Sequence, residues 1–132
     1  MDIKVGDTWS TRREVTDELI REFADLSGDH NPIHLDEEFA RSTRFGQRIA
    51  HGMLSGAFIS AVLGNEFQGH KIAYLGQTMR FIAPTFIGDT ITTTATITHI
   101  REDKHIVTLS TECRKQTGET TLTGEAKVMI LE

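Results

Sequence analysis

A carboxylate and an imidazole stand five residues apart in the run Leu26-Ser27-Gly28-Asp29-His30-Asn31-Pro32-Ile33-His34, in a stretch braced by Gly28 and Pro32. So short a segment can aim Asp29 and His34 at one point, and histidine titrates near neutrality by default. Together the two side chains could activate a water and shuttle its proton. The spacing also suits a plainer role, because Asx residues beside proline commonly cap turns. On that reading Asp29 and Asn31 close turns and His34 faces solvent, and spacing alone leaves both readings open.

Other reactive residue types are less suggestive. His30, His34 and His51 with Asp29 would be the set for a metal, but the i, i+4 pair His30/His34 lies in a proline-containing loop, without the helix that aligns such pairs. No metal is expected. His70, His99 and His105 fall at turns or strand ends and need no function. Cys113 is the only cysteine, which excludes an intramolecular disulfide and a thiolate zinc cage and fits a reducing compartment.

Helices must position the Asp29–His34 segment. One helix is expected to start after Thr16 as N-cap, with Asp17 and Glu18 in its first turn, where carboxylates suit the helix dipole. Leu19, Ile20, Phe23 and Leu26 form its apolar stripe. It should end near Ser27, with Gly28 free to take the left-handed conformation, so that Asp29 to His34 is a loop. A second helix spans about Gly52 to Phe67, and its first 14 residues carry no charge. A helix apolar all round and too short for a bilayer should be buried inside the domain.

The remainder is β-rich: 14 of 18 threonines lie after position 77. Alternation runs through Ile91-Thr93-Ala95-Ile97, Val107-Leu109-Thr111-Cys113 and Leu122-Gly124-Ala126-Val128-Ile130, each reading as a strand with one buried face. A preceding strand runs from about Ile72 to Ala83 and stops at Pro84, and Thr8 to Val15 is a further candidate. Breaks at Gly88-Asp89, Glu102-Asp103-Lys104 and Thr117-Gly118-Glu119 are short, so successive strands are expected to pair antiparallel as a meander. The fold class is α+β, with an antiparallel sheet wrapped around the buried helix. A sheet covers such a helix on one side only, which makes a second copy of the chain the simplest candidate for the other.

With 132 residues the chain fits one domain, residues 1–132, able to bury roughly two-thirds of its unfolded surface. It has 14 basic and 19 acidic residues, a net −5, with the basic ones scattered, so nucleic acid and anionic membrane surfaces are not expected partners. The acidic N-terminus Met1-Asp2-Ile3-Lys4-Val5-Gly6-Asp7 has no apolar run and does not read as a signal peptide. A cytoplasmic location is expected.

The run Phe23 to Ala40 resembles the signature of the MaoC-like hydratases, the (R)-specific enoyl-CoA hydratase group of the hot-dog fold. The likeness rests on an aromatic residue, Leu26-Ser27-Gly28-Asp29, one free position, Asn31-Pro32-Ile33-His34, and Ala40 six positions after the histidine. It extends through Ile49-Ala50-His51-Gly52-Met53 and Tyr74-Leu75-Gly76 to Arg80-Phe81 and Pro84 through Gly88-Asp89. The resemblance implies a long helix wrapped by an antiparallel sheet, usually paired into a homodimer. It implies reversible addition of water across the trans-2 double bond of an enoyl-CoA to give the (R)-3-hydroxyacyl product, with Asp29 and His34 as the catalytic pair. It implies no cofactor other than the coenzyme A of the substrate.

That reaction needs a base for the water, a proton for the α-carbon and stabilisation of an enolate-like oxygen. The backbone N–H of Gly52 is the candidate for the last, because it opens the apolar helix where donors are free and the dipole is positive. His51 is read as a structural hydrogen-bonder. The substrate-binding candidates are Asn31, also read as a loop brace; Ser60, which aligns with a small polar residue near the family's active site; and Arg44 and Arg48, which with Arg41 could meet coenzyme A phosphates. A 3-hydroxyacyl-[acyl-carrier-protein] dehydratase, a hot-dog thioesterase and a non-catalytic acyl-thioester binder are the alternatives. The thioesterase lacks support, since the apolar helix has no carboxylate before Glu66.

Overall fold

A computed structural model describes residues 2–67 and 69–131. Chain order is β1 (Thr8–Glu14), α1 (Asp17–Ser27), α2 (Pro32–Leu35), α3 (Glu37–Arg41), α4 (Gly52–Ala61), β2 (Ile72–Phe81), β3 (Thr90–Arg101), β4 (Ile106–Arg114) and β5 (Thr120–Ile130). A π-helical segment, Val62–Glu66, prolongs α4. No helix among the described residues is long and apolar enough to cross a membrane.

The strands form one antiparallel sheet in the order β1-β3-β4-β5-β2. β3, β4 and β5 pair in sequence, as their tight turns require, with Gly118 at φ 91° in the last. The expected meander fails at β2, which pairs with β5 instead of β3. The cause is the connection 82–89, which is no hairpin: Ile82 N–H bonds to Thr121 O at 2.9 Å, Ala50 N–H bonds to Thr85 O at 2.7 Å, and Phe86 bridges to Ile49. These bonds hold the segment across the end of the sheet.

The inward face of the sheet carries Ile91, Ala95, Ile97, Val107, Leu109, Leu122, Ala126 and Val128, all buried against Leu54, Phe58, Ile59, Val62 and Leu63 of α4 and its continuation. Each of these side chains larger than alanine contributes roughly 1.5–3 kcal/mol on leaving water. This is the hot-dog arrangement expected from the sequence. The helix is not buried all round, however. Met53 is 53% exposed, and Ala57 and Ser60 share its open stripe, because a sheet of this width reaches round one side of a helix only.

α1 forms where its caps dictate: Thr16 Oγ1 accepts from Leu19 N–H at 3.0 Å, and Gly28 closes the far end at φ 82°. Its buried stripe is Ile20 and Ala24, flanked by Leu19 and Phe23. Leu26, expected on that stripe, is 86% exposed. It lies six residues, about 120° of rotation, from Ile20 and so points off the packed face.

Candidate active site

Asp29 leaves α1 through Gly28, and the next residues are held by their own side chains. Asp29 N–H bonds to Ser27 Oγ at 3.1 Å, Asn31 N–H to Asp29 Oδ1 at 3.2 Å, and Ile33 N–H to Asn31 Oδ1 at 3.1 Å. The segment is therefore not a loop throughout. Pro32 at the first helical position and Asn31 as N-cap start the turn α2, which carries His34. Asn31 braces this turn and does not line the cavity described below, so its place is structural and not that of a substrate contact. The turn α3, capped by Asp36, was also absent from the expectations.

His34 is nearly buried. Its Nδ1 lies 2.8 Å from the Ile49 carbonyl, which can only accept, so Nδ1 carries the proton and Nε2 is left facing Asp29. The gap from Nε2 to Asp29 Oδ2 is 3.9 Å. That is too long for a direct hydrogen bond, and it is the span of two bonds of about 2.8 Å meeting near a right angle, the geometry of a bridging water.

His51 supports both partners. Its ring stacks on that of His34 with centroids 3.9 Å apart, and its Nε2–H donates to the Asp29 carbonyl at 3.0 Å. Burial pushes its pKa down, an effect the Asp29 carbonyl opposes and His34 reinforces. His51 Nδ1 is buried with no hydrogen-bond partner. Ligand atoms of Asp29, His34 and His51 fall within 4.8 Å of one another. His30 takes no part, since its Nε2 turns to Asp25 at 3.1 Å.

The Asp29–His34 gap opens on a cavity of about 380 Å³. Gly52, the first residue of α4, forms part of its wall, and an N–H at that position has no intrahelical acceptor. Arg44, exposed, stands at the solvent side beside Phe45. Arg48 does not line the cavity. It is buried, its Nε donating to His34 O at 2.7 Å and its Nη2 to Asp17 Oδ1 at 2.6 Å, and this guanidinium holds the Asp17 carboxyl below its usual range. Arg48 therefore braces His34 from behind in place of meeting phosphate. Ser60 also lies outside the cavity, on the open stripe of α4. The serine that lines the cavity is Ser55, about 140° around the helix.

Several lining residues escaped sequence reasoning: Ser55, Phe81, Thr121, Leu122 and the segment Ile82 to Thr85. Their signal was the register of two strands distant in sequence, Phe81 opposite Leu122, which no local pattern encodes. Phe81 and the segment from Pro84 stood in the resemblance without a role, and Pro84 was otherwise read only as the end of a strand.

A family model described as MaoC like domain matches residues 4–119. The chain is 45% identical over 129 residues to the (R)-specific enoyl-CoA hydratase of Rhodospirillum rubrum, covering 98% of this chain and 89% of that protein. It is 35% identical over 131 residues to a mitochondrial 3-hydroxyacyl-[acyl-carrier-protein] dehydratase of Arabidopsis thaliana, covering 97% and 78% respectively. The solved (R)-hydratase from A. caviae involved in PHA biosynthesis superposes with a TM-score of 0.95 at 39% identity, covering 98% of both chains.

Proposed function

The chain belongs to the MaoC-like domain family, and from that premise we propose that it catalyses reversible hydration of trans-2-enoyl-CoA to (R)-3-hydroxyacyl-CoA. The observation that carries this reading is the 3.9 Å separation of Asp29 Oδ2 and His34 Nε2 at a cavity whose wall includes Gly52. A water between the two groups gives its oxygen to the β-carbon, and the pair accepts one proton and delivers one to the α-carbon on the same face. As the electron pair moves to the thioester oxygen, the Gly52 N–H donates to it. Glycine allows that close approach. Arg44 meets phosphates of the coenzyme at the entrance. No metal or cofactor is assigned a step.

The protein works as a homodimer in this reading. The open stripe of α4 and the unpaired edge of β2 lie side by side, and one second copy covers both. The likeness to an acyl-carrier-protein dehydratase supports a second substrate carrier, with the same chemistry running toward loss of water.

Mixing the protein with crotonyl-CoA tests the reading: absorbance of the conjugated thioester should fall. Asp29→Asn retains an acceptor for Asn31 N–H and so keeps the turn, yet should lose on the order of 10²- to 10⁴-fold in rate, as should His34→Ala. Wild-type rates in both variants would refute the assignment. Parallel rates on carrier-protein thioesters identify the preferred carrier.

A further inference from the structure

We infer that Lys115 and Asp89, a buried ion pair outside the cavity, are positioning residues that fix the orientation of His34 by holding Phe86 against Ile49. The inference rests on the hydratase reading above, and it gives a role to Gly88-Asp89, which the reaction as described leaves unused. Lys115 Nζ lies 3.3 Å from Asp89 Oδ2, and the two side chains are only 7% and 12% exposed. Neither residue lines the cavity. The same Asp89 Oδ2 accepts from Phe86 N–H at 2.8 Å, Oδ1 accepts from Gln116 Nε2 at 3.0 Å, and the ammonium stands 4.6 Å over the Phe86 ring. Burial pushes the Asp89 carboxyl up, but the Phe86 N–H, Gln116 and Lys115 outweigh it and hold the group below its usual range, so it stays charged.

From Phe86 the reacting groups are two contacts away. Phe86 forms an antiparallel bridge with Ile49, and beside it Ala50 N–H bonds to Thr85 O at 2.7 Å. The Ile49 carbonyl in turn lies 2.8 Å from His34 Nδ1, the contact that leaves Nε2 for Asp29. Residues 42–51 form no helix or strand, so the place of that carbonyl depends on the bridge. The segment 82–89 cannot secure the bridge by burial alone, because Ile82 and Ile87 are exposed and Pro84 has no N–H. Backbone bonds with Val15 tie down Gly88 and Asp89, but only the Asp89 side chain reaches back to Phe86. A desolvated ion pair gives little net stability and admits one arrangement. Here that arrangement sets where Phe86, Ile49 and the His34 ring stand.

The experiment measures kcat and KM for crotonyl-CoA together with the nitrogen-15 shifts of the His34 imidazole, which report the ring nitrogen that carries the proton. Wild type is compared with Lys115→Met, Lys115→Arg and Asp89→Asn. Lys115→Met keeps an unbranched stem beside Phe86 and removes the charge. Its kcat should fall about 10-fold or more with KM within about threefold of wild type, and the His34 proton should divide between Nδ1 and Nε2. Lys115→Arg, which restores the charge, should recover most of both losses. Asp89→Asn leaves Lys115 with Glu119, 3.7 Å away, and should shift both readouts in the same direction, which keeps the test decisive if the methionine variant does not fold. Wild-type kcat and unaltered His34 shifts in folded variants overturn the inference while hydration itself stands, and so does a rise in KM alone. His34 shifts that move as expected, with no hydration in wild type, sink the reaction and leave the positioning in place.

Discussion

Removing the Arg48 guanidinium separates its role behind His34 from a role in binding coenzyme phosphate. In Arg48→Met the aliphatic stem is retained and two charge-assisted hydrogen bonds are lost, those to His34 O at 2.7 Å and Asp17 Oδ1 at 2.6 Å. The His34 carbonyl would be left unpaired in a site where the arginine is 7% exposed, at a cost of about 1–3 kcal/mol. The ion pair adds on the order of 1 kcal/mol, because Asp17 is half exposed and solvent screens it. The sum is about 2–4 kcal/mol, and at roughly 3–5 °C per kcal/mol for a chain of this size Tm should fall by about 10 °C. Because α2 carries His34, kcat should fall as the imidazole loses its rear support, with KM for enoyl-CoA nearly constant. Thermal melts followed by circular dichroism, with steady-state kinetics below the melt, read both effects. A Tm within about 2 °C of wild type, together with a tenfold rise in KM, would return Arg48 to the coenzyme and refute the bracing role.

Two further outcomes follow from the site. His51 has a folded pKa below its reference value of 6.5, so the unfolded chain takes up the proton first as pH falls. Stability from this group is complete above 6.5 and is lost as pH drops from there toward the folded value. His51→Gln, whose amide still donates to the Asp29 carbonyl, should flatten the decline of Tm below that pH, and parallel declines would exclude His51 as its source. Gly52→Ala places a methyl 2.8 Å from the Phe81 ring. Phe81 is 54% exposed and can turn aside, so Tm should barely move while kcat/KM falls roughly 10- to 100-fold from displacement of the N–H donor. Adding Phe81→Leu should recover part of it, and no loss in the single variant would remove Gly52 from the reaction.

What was legible in the sequence follows from the range of the interactions involved. Thr16 and Gly28 bracket α1 through bonds spanning a few residues, and the alternation of β3, β4 and β5 reports a face buried along each strand. The Asp29–His34 segment could be read for the same reason, since the bonds that shape it join residues two apart. Arg48 could not be. A long flexible side chain reaching back 31 residues to Asp17 leaves no trace in spacing, and its neighbour Arg44 does line the cavity. Ser60 followed from the resemblance alone, and Ser55 carried no local signal, because α4 has no charged residue to mark which of its faces meets the cavity. The pairing of β2 with β5 was hidden because a connection of several residues specifies no partner, unlike a two-residue turn.

The position of β2 at the margin of the sheet couples two properties that are usually separable. One strand carries both the side chains Phe81 and Met79, which face α4 at Gly52 and Gly56, and a row of backbone groups that has no neighbour on its outer side among the described residues. Any partner that zips onto that row pulls on the same backbone that sets how far Phe81 and Met79 stand from the helix. Dilution, or a substitution that weakens the zip, should therefore register as altered discrimination between reactants before it registers as loss of turnover.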